Sequence, residues 1–321
     1  MTEEREKIPL VTFALFAYNQ EKYIREAVEG ALAQDYPNLE IIISDDASGD
    51  ATWQFIQESV ADYSGSHKIK LNRNSRNLGV TSHVNEVVSL SSGRLIVMAA
   101  GDDISVPSRV TRLFEAWREK GFPSGLVHST AQPIDEQGTN ILKPMQGEVV
   151  GLDKVSLQFF RDNRHRMLIC GATPAYTRDL FEYFGPLMDG GLVEDAVLTF
   201  RAILRGQLIF VNEPLVSYRI SSTSISGAVY SVRKPEQWLR WMTVQELKIR
   251  NHISDYALHI RESAASPDPN FVDYLSSTAD GFAVARKMVS SSWIDRLIGI
   301  AKLPGPRAIR AKFRFALRFY A

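Results

Sequence analysis

Apolar positions in the first hundred residues fall into patterns typical of strands and helices. Residues 10–16 (LVTFALF), 39–43 and 95–100 form short, mainly apolar runs without polar alternation, so each predicts a strand covered on both faces. Between the first two runs, apolar side chains recur at helical spacing and predict a helix. They are Ile24, Ala27, Val28, Ala31 and Leu32. Further helices are predicted to begin near Trp53 and to cover 82–90, with a short strand at 69–71.

This order of elements predicts an α/β fold with a mostly parallel, Rossmann-like sheet flanked by helices. Ligands of such sheets bind outside the carboxyl ends of the strands. Three polar segments directly follow predicted strands, and they contain Asn19, Asp45-Asp46 and Asp102-Asp103. We therefore expect these segments to meet at one edge of the sheet and to form a binding site. Asn19 is also expected to cap the helix that follows it.

Beyond Gly121 the pattern is less regular. Short apolar pieces at 126–128, 208–211 and 215–218 alternate with an amphipathic helix at 196–204. Residues 233–260 are rich in helix formers. The chain is therefore predicted to consist of an α/β domain at 1–226 and a helical C-terminal region at 227–321.

The segment Gly101-Asp102-Asp103 places two adjacent carboxylates after a predicted buried strand. Such anions repel each other unless a cation or strong hydrogen bonds stabilise them. A hard divalent ion that also binds a diphosphate would remove this repulsion. The alternative is a turn in which Asp103 caps a helix that begins near Pro107, and the residues alone do not separate the two interpretations.

Two further acidic pairs have both a structural and a functional interpretation. Asp46 is expected to be free to accept a hydrogen bond from the N–H of a pyrimidine base; the alternative is helix capping, for which Asp50 is better placed than Asp45. Glu194-Asp195 precede a predicted helix, where carboxylates gain from the helix dipole. Alternatively, this pair acts as the general base on an acceptor hydroxyl.

Five segments stand in a recognisable order: Phe16–Glu21 (FAYNQE), Ser44–Ser48 (SDDAS), Asn77–Val80 (NLGV), Gly101–Asp103 (GDD) and Glu194-Asp195. Together they resemble a family 2 glycosyltransferase with the GT-A fold, over residues 8–226. The resemblance implies an inverting hexosyl- or deoxyhexosyltransferase with Mg²⁺ or Mn²⁺ as its cofactor. It implies a UDP- or dTDP-linked sugar as donor. The implied acceptor is a glycan or lipid-linked glycan, in the synthesis of cell-surface polysaccharide or O-antigen.

The resemblance also implies roles for single residues. The implied nucleotide-sugar site consists of Phe16, Ala17, Tyr18, Asn19, Glu21, Asp45, Asp46, Gly79, Asp102 and Arg219. Within it, Asp46 would bind the edge of the base and Arg219 would help to neutralise the diphosphate. Asp103 would bind the metal directly, and Asp102 would reach the ribose or the metal. Asp195 would be the catalytic base, with Glu194 beside it.

Two positions depart from the family's pattern. Ala100 stands where many members have an acidic residue, and Ser221 stands where many have a histidine. One alternative is therefore a catalytically weak or non-catalytic partner subunit that keeps the fold. Another is a nucleotidyltransferase, although residues 17–20 (AYNQ) are not the basic, glycine-rich phosphate loop that such an enzyme needs.

Charge is unevenly distributed, although the net charge of the chain is zero. Residues 286–321 contain nine basic residues and one acid, Asp295, which gives them a net charge of +8. Residues 307–320 are predicted to form an amphipathic helix that contacts an anionic membrane. The alternative is a terminal helix packed on the body. No nucleic-acid partner is expected, because no recognised fold accompanies the charge.

The N-terminus, the apolar segments and the cysteine content predict the compartment. The charged N-terminus lacks an apolar signal segment, and no apolar run has the roughly 20 residues that a transmembrane helix needs. Cys170 is the only cysteine, so no intramolecular disulfide is possible. We expect a cytoplasmic protein that associates peripherally with the inner face of the cytoplasmic membrane through residues 286–321.

Overall fold

The computed structural model describes residues 8–141, 155–162, 169–190, 193–221 and 235–289. Within these residues, eight strands form one sheet: β1 (Val11–Ala17), β2 (Leu39–Asp45), β3 (Lys68–Arg73), β4 (Leu95–Ala100), β5 (Ile104–Ser105), β6 (Leu126–Ile134), β7 (Ala175–Thr177) and β8 (Leu208–Arg219). The helices in the same part of the chain are α1 (Ile24–Leu32), α2 (Thr52–Ala61), α3 (Val80–Leu90), α4 (Arg109–Glu119), α5 (Leu157–Asp162), α6 (Arg178–Phe184), α7 (Glu194–Arg205), α8 (Pro235–Ser263) and α9 (Pro269–Val289). The strand order across the sheet is β3-β2-β1-β4-β7-β6-β8-β5.

The first half of the sheet is parallel, as the apolar runs predicted. β1 lies between β2 and β4 and pairs in parallel with both, and β2 pairs in parallel with β3. Phe16 stands opposite both Ser44 and Ala100, so β1, β2 and β4 end at the same level. The predicted α/β fold with a mostly parallel sheet is confirmed.

The second half of the sheet contains features that the sequence did not predict. β7 has three residues and pairs antiparallel with both β4 and β6, and so short a strand carries no readable apolar run. The two pieces predicted at 208–211 and 215–218 are one strand, β8. Its pairing with β6 shifts register opposite Thr130, which faces Pro214. Proline has no N–H to donate to a neighbouring strand, so it interrupts the ladder there.

Both faces of β1, β2 and β4 are buried, which explains why these strands lack polar alternation, whereas the edge strand β3 alternates. Phe13 and Leu15 of β1 pack with the apolar stripes of α1 and α4 on one face. Ala14, between them, faces the opposite cluster, which contains side chains of α3 and α7. The sheet is therefore the middle layer of three, with helices on both sides.

Helices α8 and α9 pack against each other, and α8 also packs on α7. Tyr256, Phe271 and Leu275 from this pair join the core cluster on the α7 face. The predicted domain boundary at 226/227 lies outside the described residues and stays a prediction. In the described part of the chain, no helix combines the length and the apolarity needed to cross a membrane. The predicted amphipathic tail at 307–320 also lies outside the described residues.

Candidate active site

The ends of β1, β2 and β4 form the carboxyl edge of the sheet, and their loops are bonded to one another there. The amide of Asp46 donates to the carbonyl of Ala17 at 2.9 Å, and the amide of Gly101 donates to the carbonyl of Phe16 at 2.8 Å. The amide of Asn74, after β3, donates to the carbonyl of Asp45 at 2.9 Å. The expected meeting of the three polar segments at one edge is therefore confirmed.

The loop after β1 is held by the loop after β2. The Asn19 amide donates to Oγ of Ser48 at 2.9 Å, and Oδ1 of Asn19 accepts from the Gly49 amide at 2.9 Å. Glu21 accepts from the Ala51 amide at 3.1 Å through Oε2. These bonds fix the relative position of the two loops beyond the ends of the paired strands.

The expectation that Asn19 caps the following helix is wrong. Helix α1 begins at Ile24, and its N-cap position is Tyr23, with no side-chain cap. Asn19 instead has a left-handed backbone, with φ at 51°, which asparagine tolerates better than most residues. Its side chain accepts a hydrogen bond from the Gly49 amide in the neighbouring loop, and it does not cap the helix that follows in sequence.

Aromatic side chains lie at the end of β1. Tyr18 is 47% exposed, an unusual degree for a large aromatic residue next to a buried strand. Phe16 is half-buried and meets the His83 ring edge-to-face, with ring centroids 5.2 Å apart. His83 itself approaches Oγ of Ser44 to 2.6 Å, and burial lowers its pKa. The ring of Tyr18 is therefore available to a planar ligand at this edge.

The structure corrects the expectation that Asp46 is a free acceptor. Its Oδ1 accepts hydrogen bonds from Nδ2 of Asn74 and the amide of Leu78, both at 2.8 Å. Its Oδ2 accepts from the amide of Gly79 at 2.9 Å. The carboxylate is buried and binds the segment that leads into α3. Gly79 is needed there because its φ of 78° is unfavourable for a residue with a Cβ.

The carboxylate of Asp45 is likewise bound by other residues of the chain. Its carboxylate accepts hydrogen bonds from the amide and the hydroxyl of Ser48, and it pairs with Arg73 of β3 at 3.2 Å. The Arg73 guanidinium also donates to the carbonyl of Ser48 at 3.1 Å. The Asp45-Asp46 pair therefore builds the shape of the loops at this edge.

Asp102 and Asp103 are close, poorly solvated carboxyl groups. Burial and the neighbouring charge of Asp102 raise the pKa of Asp103 to about 8, and burial also raises the pKa of Asp102. The capped-turn alternative is wrong, because α4 begins at Arg109 with Ser108 at the N-cap and no side-chain cap. Oδ1 of Asp103 instead accepts from the amide of Arg219 at 2.8 Å.

The side chain of Arg219 is bound within the chain. Its side chain is 1% exposed, and its Nη2 pairs with Glu26 at 2.6 Å. Its Nε donates to the Asp102 carbonyl at 2.9 Å, and its Nη1 donates to the carbonyls of residues 135 and 136. The guanidinium also lies 4.5 Å from the centre of the Tyr23 ring. Each of its nitrogens donates to the chain, so Arg219 holds the Asp102-Asp103 loop, and its predicted role at the diphosphate stays a prediction.

The residues present fit a divalent cation only in part. Two adjacent carboxyl groups that resist ionisation are stabilised as anions by a cation, which supports a site at Asp102 and Asp103. Yet no group of three or more His, Cys, Asp or Glu able to hold a metal occurs among the described residues. Ala100 and Ser221 stand at the two positions that depart from the family's pattern, and neither is a suitable metal ligand. The remaining ligands would therefore have to come from the diphosphate and water.

Arg109 is a buried cation that the sequence analysis missed. It is fully buried, and its guanidinium donates to the carbonyls of Met98 at 2.7 Å and Ala172 at 2.9 Å. Burial lowers its pKa to about 10, and the negative charge of Asp103 opposes that shift. Arg109 shares the apolar stripe of α4 with Val110, Leu113, Phe114 and Trp117. The sequence signal for this residue is an arginine at helical spacing with the apolar residues of α4.

Glu194 and Asp195 begin α7 and are both half-buried. Burial raises the pKa of Asp195 to about 6, while burial and the charge of Asp195 raise the pKa of Glu194 to about 8. Stabilisation by the helix dipole lowers carboxyl pKa values, so the structural interpretation alone predicts the opposite shift. A carboxylate with a pKa near 6 is suited to act as a general base at neutral pH.

A short turn at 170–173 separates the two acidic centres. Arg109 binds its Ala172 carbonyl, and a Cβ on Gly171 would lie 2.8 Å from Oδ2 of Asp195. The Cys170 thiol has its pKa raised to about 12 by burial, with contributions from the charges of Asp103 and Asp195. Asp103 and Asp195 therefore both lie near this turn.

Comparison with known proteins identifies the family. A sequence model of Glycosyl transferase family 2 matches residues 12–185, which is more than half of the chain. The chain belongs to glycosyl transferase family 2. The match contains the segments at Phe16–Glu21, Ser44–Ser48, Asn77–Val80 and Gly101–Asp103, and it ends before Glu194-Asp195.

Individual relatives of this family 2 chain agree with that assignment. It is 31% identical to chondroitin synthase of Escherichia coli over 150 residues, 47% of this chain and 21% of that protein. It is 26% identical to the succinoglycan biosynthesis protein ExoO of Rhizobium meliloti over 240 residues, 71% of this chain and 62% of that protein. The chain thus spans less than two thirds of the length of either relative.

A solved structure shares the fold of this family 2 chain. TarS of S. aureus, in complex with UDP-GlcNAc, matches 96% of this chain and 87% of its own with a TM-score of 0.61. The sequence identity is 15%, so the likeness concerns the fold. It confirms the predicted GT-A fold.

Proposed function

We propose that this protein transfers a sugar from a UDP- or dTDP-linked donor to a hydroxyl of a glycan or lipid-linked glycan, with inversion. One observation carries the proposal: two acidic pairs with raised pKa values, Asp102-Asp103 and Glu194-Asp195, lie on either side of one turn. Such a pair of centres can bind a diphosphate through a cation and activate an incoming hydroxyl.

The donor would lie along the carboxyl edge. Tyr18 offers an exposed ring to the base, and the backbone at Phe16, Ala17 and Asn19 borders it. Glu21, Asp45, Asp46 and Gly79 shape this part of the site through the bonds described above. A divalent cation, Mg²⁺ or Mn²⁺, held by Asp103 and Asp102 would neutralise the charge of the leaving diphosphate.

The acceptor side would centre on Asp195. Its carboxylate would remove the proton from the acceptor hydroxyl while that oxygen forms a bond to the anomeric carbon. The bond from that carbon to the diphosphate oxygen breaks in the same step, so the configuration inverts. Glu194 would stay protonated at neutral pH, because its pKa is raised to about 8.

The names of two relatives support the proposed biological setting. The names of ExoO and chondroitin synthase both concern polysaccharide synthesis. We extend this to a hexosyl- or deoxyhexosyltransferase of cell-surface polysaccharide or O-antigen synthesis. It would act in the cytoplasm, at the inner face of the membrane, with residues 286–321 as the contact. The division into a catalytic domain at 1–226 and a helical region at 227–321 belongs to the same proposal.

Calorimetry with UDP and dTDP, with and without Mn²⁺, tests the donor site. We expect binding of one nucleotide that depends on Mn²⁺, followed by release of that nucleotide from one sugar of a donor panel. Absence of Mn²⁺-dependent nucleotide binding would overturn the proposal. Binding without turnover of any donor would favour the non-catalytic subunit. Release of pyrophosphate from a nucleoside triphosphate and a sugar phosphate would favour a nucleotidyltransferase.

A further inference from the structure

Helix α8 carries three buried polar side chains on one face. Lys248, Asn251 and Asp255 are spaced three and four residues apart, so they line up along the helix. All three are buried, and Lys and Asp are rarely buried without a partner. This polar stripe lies in the region beyond the family 2 match, which ends at residue 185.

The stripe faces the segment 185–190, which leads to the proposed base. Oδ1 of Asn251 accepts a hydrogen bond from the amide of Met188 at 3.1 Å. Asp255 forms a two-pronged ion pair with Arg201 of α7, at 2.9 and 3.2 Å. Arg201 in turn donates to the carbonyls of Gly185 at 2.7 Å and Pro186 at 3.3 Å.

The opposite side of the segment is bound to α3. Asn85 donates to the carbonyl of Leu187 and accepts from its amide, both at 2.8 Å. Ser82 donates to Oδ1 of Asp189 at 2.7 Å. The backbone of 185–190 is thus held between the α/β domain and α8, a few residues before Glu194-Asp195.

The charged end of the stripe is Lys248, whose Nζ donates to Oε1 of Gln245 at 2.5 Å. Burial raises the pKa of Asp195, and the positive charge of Lys248 opposes this rise. The other titratable groups near Asp195 are Glu194 on α7, Cys170 in the turn and Tyr176 on β7, whose own pKa values the charge of Asp195 raises. Lys248 is the cation that acts on Asp195 among the described groups.

We propose that helix α8 completes the catalytic site: Asn251 and the Arg201–Asp255 pair position the segment before Asp195, and the buried Lys248, in line with them on α8, supplies positive charge to the same site. This inference rests on the proposed function, because it takes Asp195 as the base. It makes the C-terminal helices part of the reaction machinery of this chain rather than an appended surface. Lys248, Asn251 and Asp255 are positioning residues in this proposal.

Four variants of α8 test this. Asn251→Ala removes the acceptor for the Met188 amide, and Ser254→Ala is its control on the exposed face of the same helix. Lys248→Met removes the charge at nearly constant volume, and Lys248→Arg keeps the charge. Turnover is followed as release of UDP or dTDP from the donor that the wild type hydrolyses, with water in place of the acceptor.

Asn251→Ala is expected to lower kcat by about tenfold or more while the affinity for the nucleotide with Mn²⁺ stays within about twofold. Lys248→Met is expected to move the acid limb of the pH profile of kcat/KM upward by roughly half a unit to one unit, and Lys248→Arg should restore it. Amide hydrogen exchange in the segment 185–190 gives a second measurement, because the Met188 amide should exchange its hydrogen faster in Asn251→Ala.

Either of two results would overturn the inference but leave the proposed function standing. One is a kcat for Asn251→Ala equal to that of Ser254→Ala. The other is a pH profile of kcat/KM whose acid limb does not move in Lys248→Met. If Asn251→Ala does not fold, the Lys248 pair carries the test, because both variants keep a long side chain in the same space. A wild type that binds no nucleotide and turns over no donor would instead refute the proposed function, and the inference with it.

Discussion

The amide of Arg219 donates a hydrogen bond of 2.8 Å to Oδ1 of Asp103, across 116 residues of sequence. Arg219 ends β8, and its guanidinium also binds the carbonyl of Asp102. The end of β8 therefore holds both aspartates in place. The bond from the Arg219 backbone engages Oδ1 of Asp103, so Oδ2 is the oxygen that we expect to bind a cation.

Asp103→Asn should stabilise the metal-free protein at alkaline pH. The folded state raises the pKa of Asp103 to about 8, whereas the unfolded chain ionises near pH 4. Between these values the folded state holds a proton that the unfolded state has lost, so the free energy of unfolding falls as pH rises. Asparagine keeps the oxygen that Arg219 binds and does not titrate. At pH 8.5 in EDTA we expect its Tm to exceed that of the wild type. The difference should be about 2–4 °C for each kcal/mol of unfolding free energy that the wild type loses through ionisation of Asp103.

The same variant should lose Mn²⁺-dependent nucleotide binding, which separates stability from function. Thermal unfolding from pH 5 to 8.5, with EDTA or with Mn²⁺ and UDP, measures both effects. Adding Mn²⁺ and UDP should raise the Tm of the wild type more than that of Asp103→Asn. Parallel curves of Tm against pH for the two proteins would show that Asp103 does not titrate in this range.

Asp195→Asn should abolish most transfer and leave nucleotide binding intact. Loss of a general base costs about 10²–10⁴ in rate. Because the base must be ionised, and burial raises the pKa of Asp195 to about 6, wild-type kcat/KM should fall as pH decreases through 6. The measurement is a pH profile of donor hydrolysis, with calorimetry of UDP and Mn²⁺ on the variant.

Glu194→Gln is the matched control for this prediction. The pKa of Glu194 is raised to about 8, so its side chain is mostly protonated at pH 7, and glutamine resembles that form. We expect a much smaller loss of kcat at pH 7 than for Asp195→Asn. An equal or larger loss for Glu194→Gln would transfer the role of base to Glu194.

Gly171→Ala should act on Asp195 rather than on folding. The added Cβ would lie 2.8 Å from Oδ2 and 3.2 Å from Cβ of Asp195, so the carboxylate has to move. We expect kcat to fall by about 10- to 100-fold with unchanged nucleotide affinity. In an Asp195→Ala background the same change should cost little more, because the group it displaces is gone.

A second glycine provides the contrast. A Cβ on Gly93 would lie 2.3 Å from the backbone nitrogen of Thr12, in the buried start of the sheet. Gly93→Ala should therefore lower Tm, whereas Gly171→Ala should lower kcat. A drop in Tm of similar size for both variants, with kcat of Gly171→Ala unchanged, would refute the link between Gly171 and the base.

The sequence predicts the position of the site because strand ends are local features. The apolar runs end at Phe16, Ile43 and Ala100, and parallel pairing then brings the following loops together. The uses of the polar side chains depend on distant partners instead. Asp46 binds amides 32 and 33 residues away, and Arg219 pairs with Glu26 across 193 residues. No pattern along the chain reports such pairings.

Asp46→Asn should weaken the binding of different nucleotides in parallel. Replacing Oδ2 by an amide group would place a donor against the Gly79 amide, which now donates to it at 2.9 Å. An unsatisfied buried donor costs about 1–3 kcal/mol, so the segment Asn77–Gly79 should shift and Tm should fall. Because this change concerns the shape of the loop, UDP and CDP should lose affinity by the same factor in calorimetry with Mn²⁺.

Direct contact between Asp46 and the base predicts a different result. Uracil offers an N–H donor at N3, where cytosine offers an acceptor, so an amide at position 46 would weaken UDP and favour CDP. A changed ratio of the two affinities would therefore assign Asp46 to the base edge. Asn77→Ala supplies the control, because Oδ1 of Asn77 also accepts from the Gly79 amide at 2.9 Å. It should produce a smaller loss in the same direction for both nucleotides, since it loosens the same loop without changing the charge.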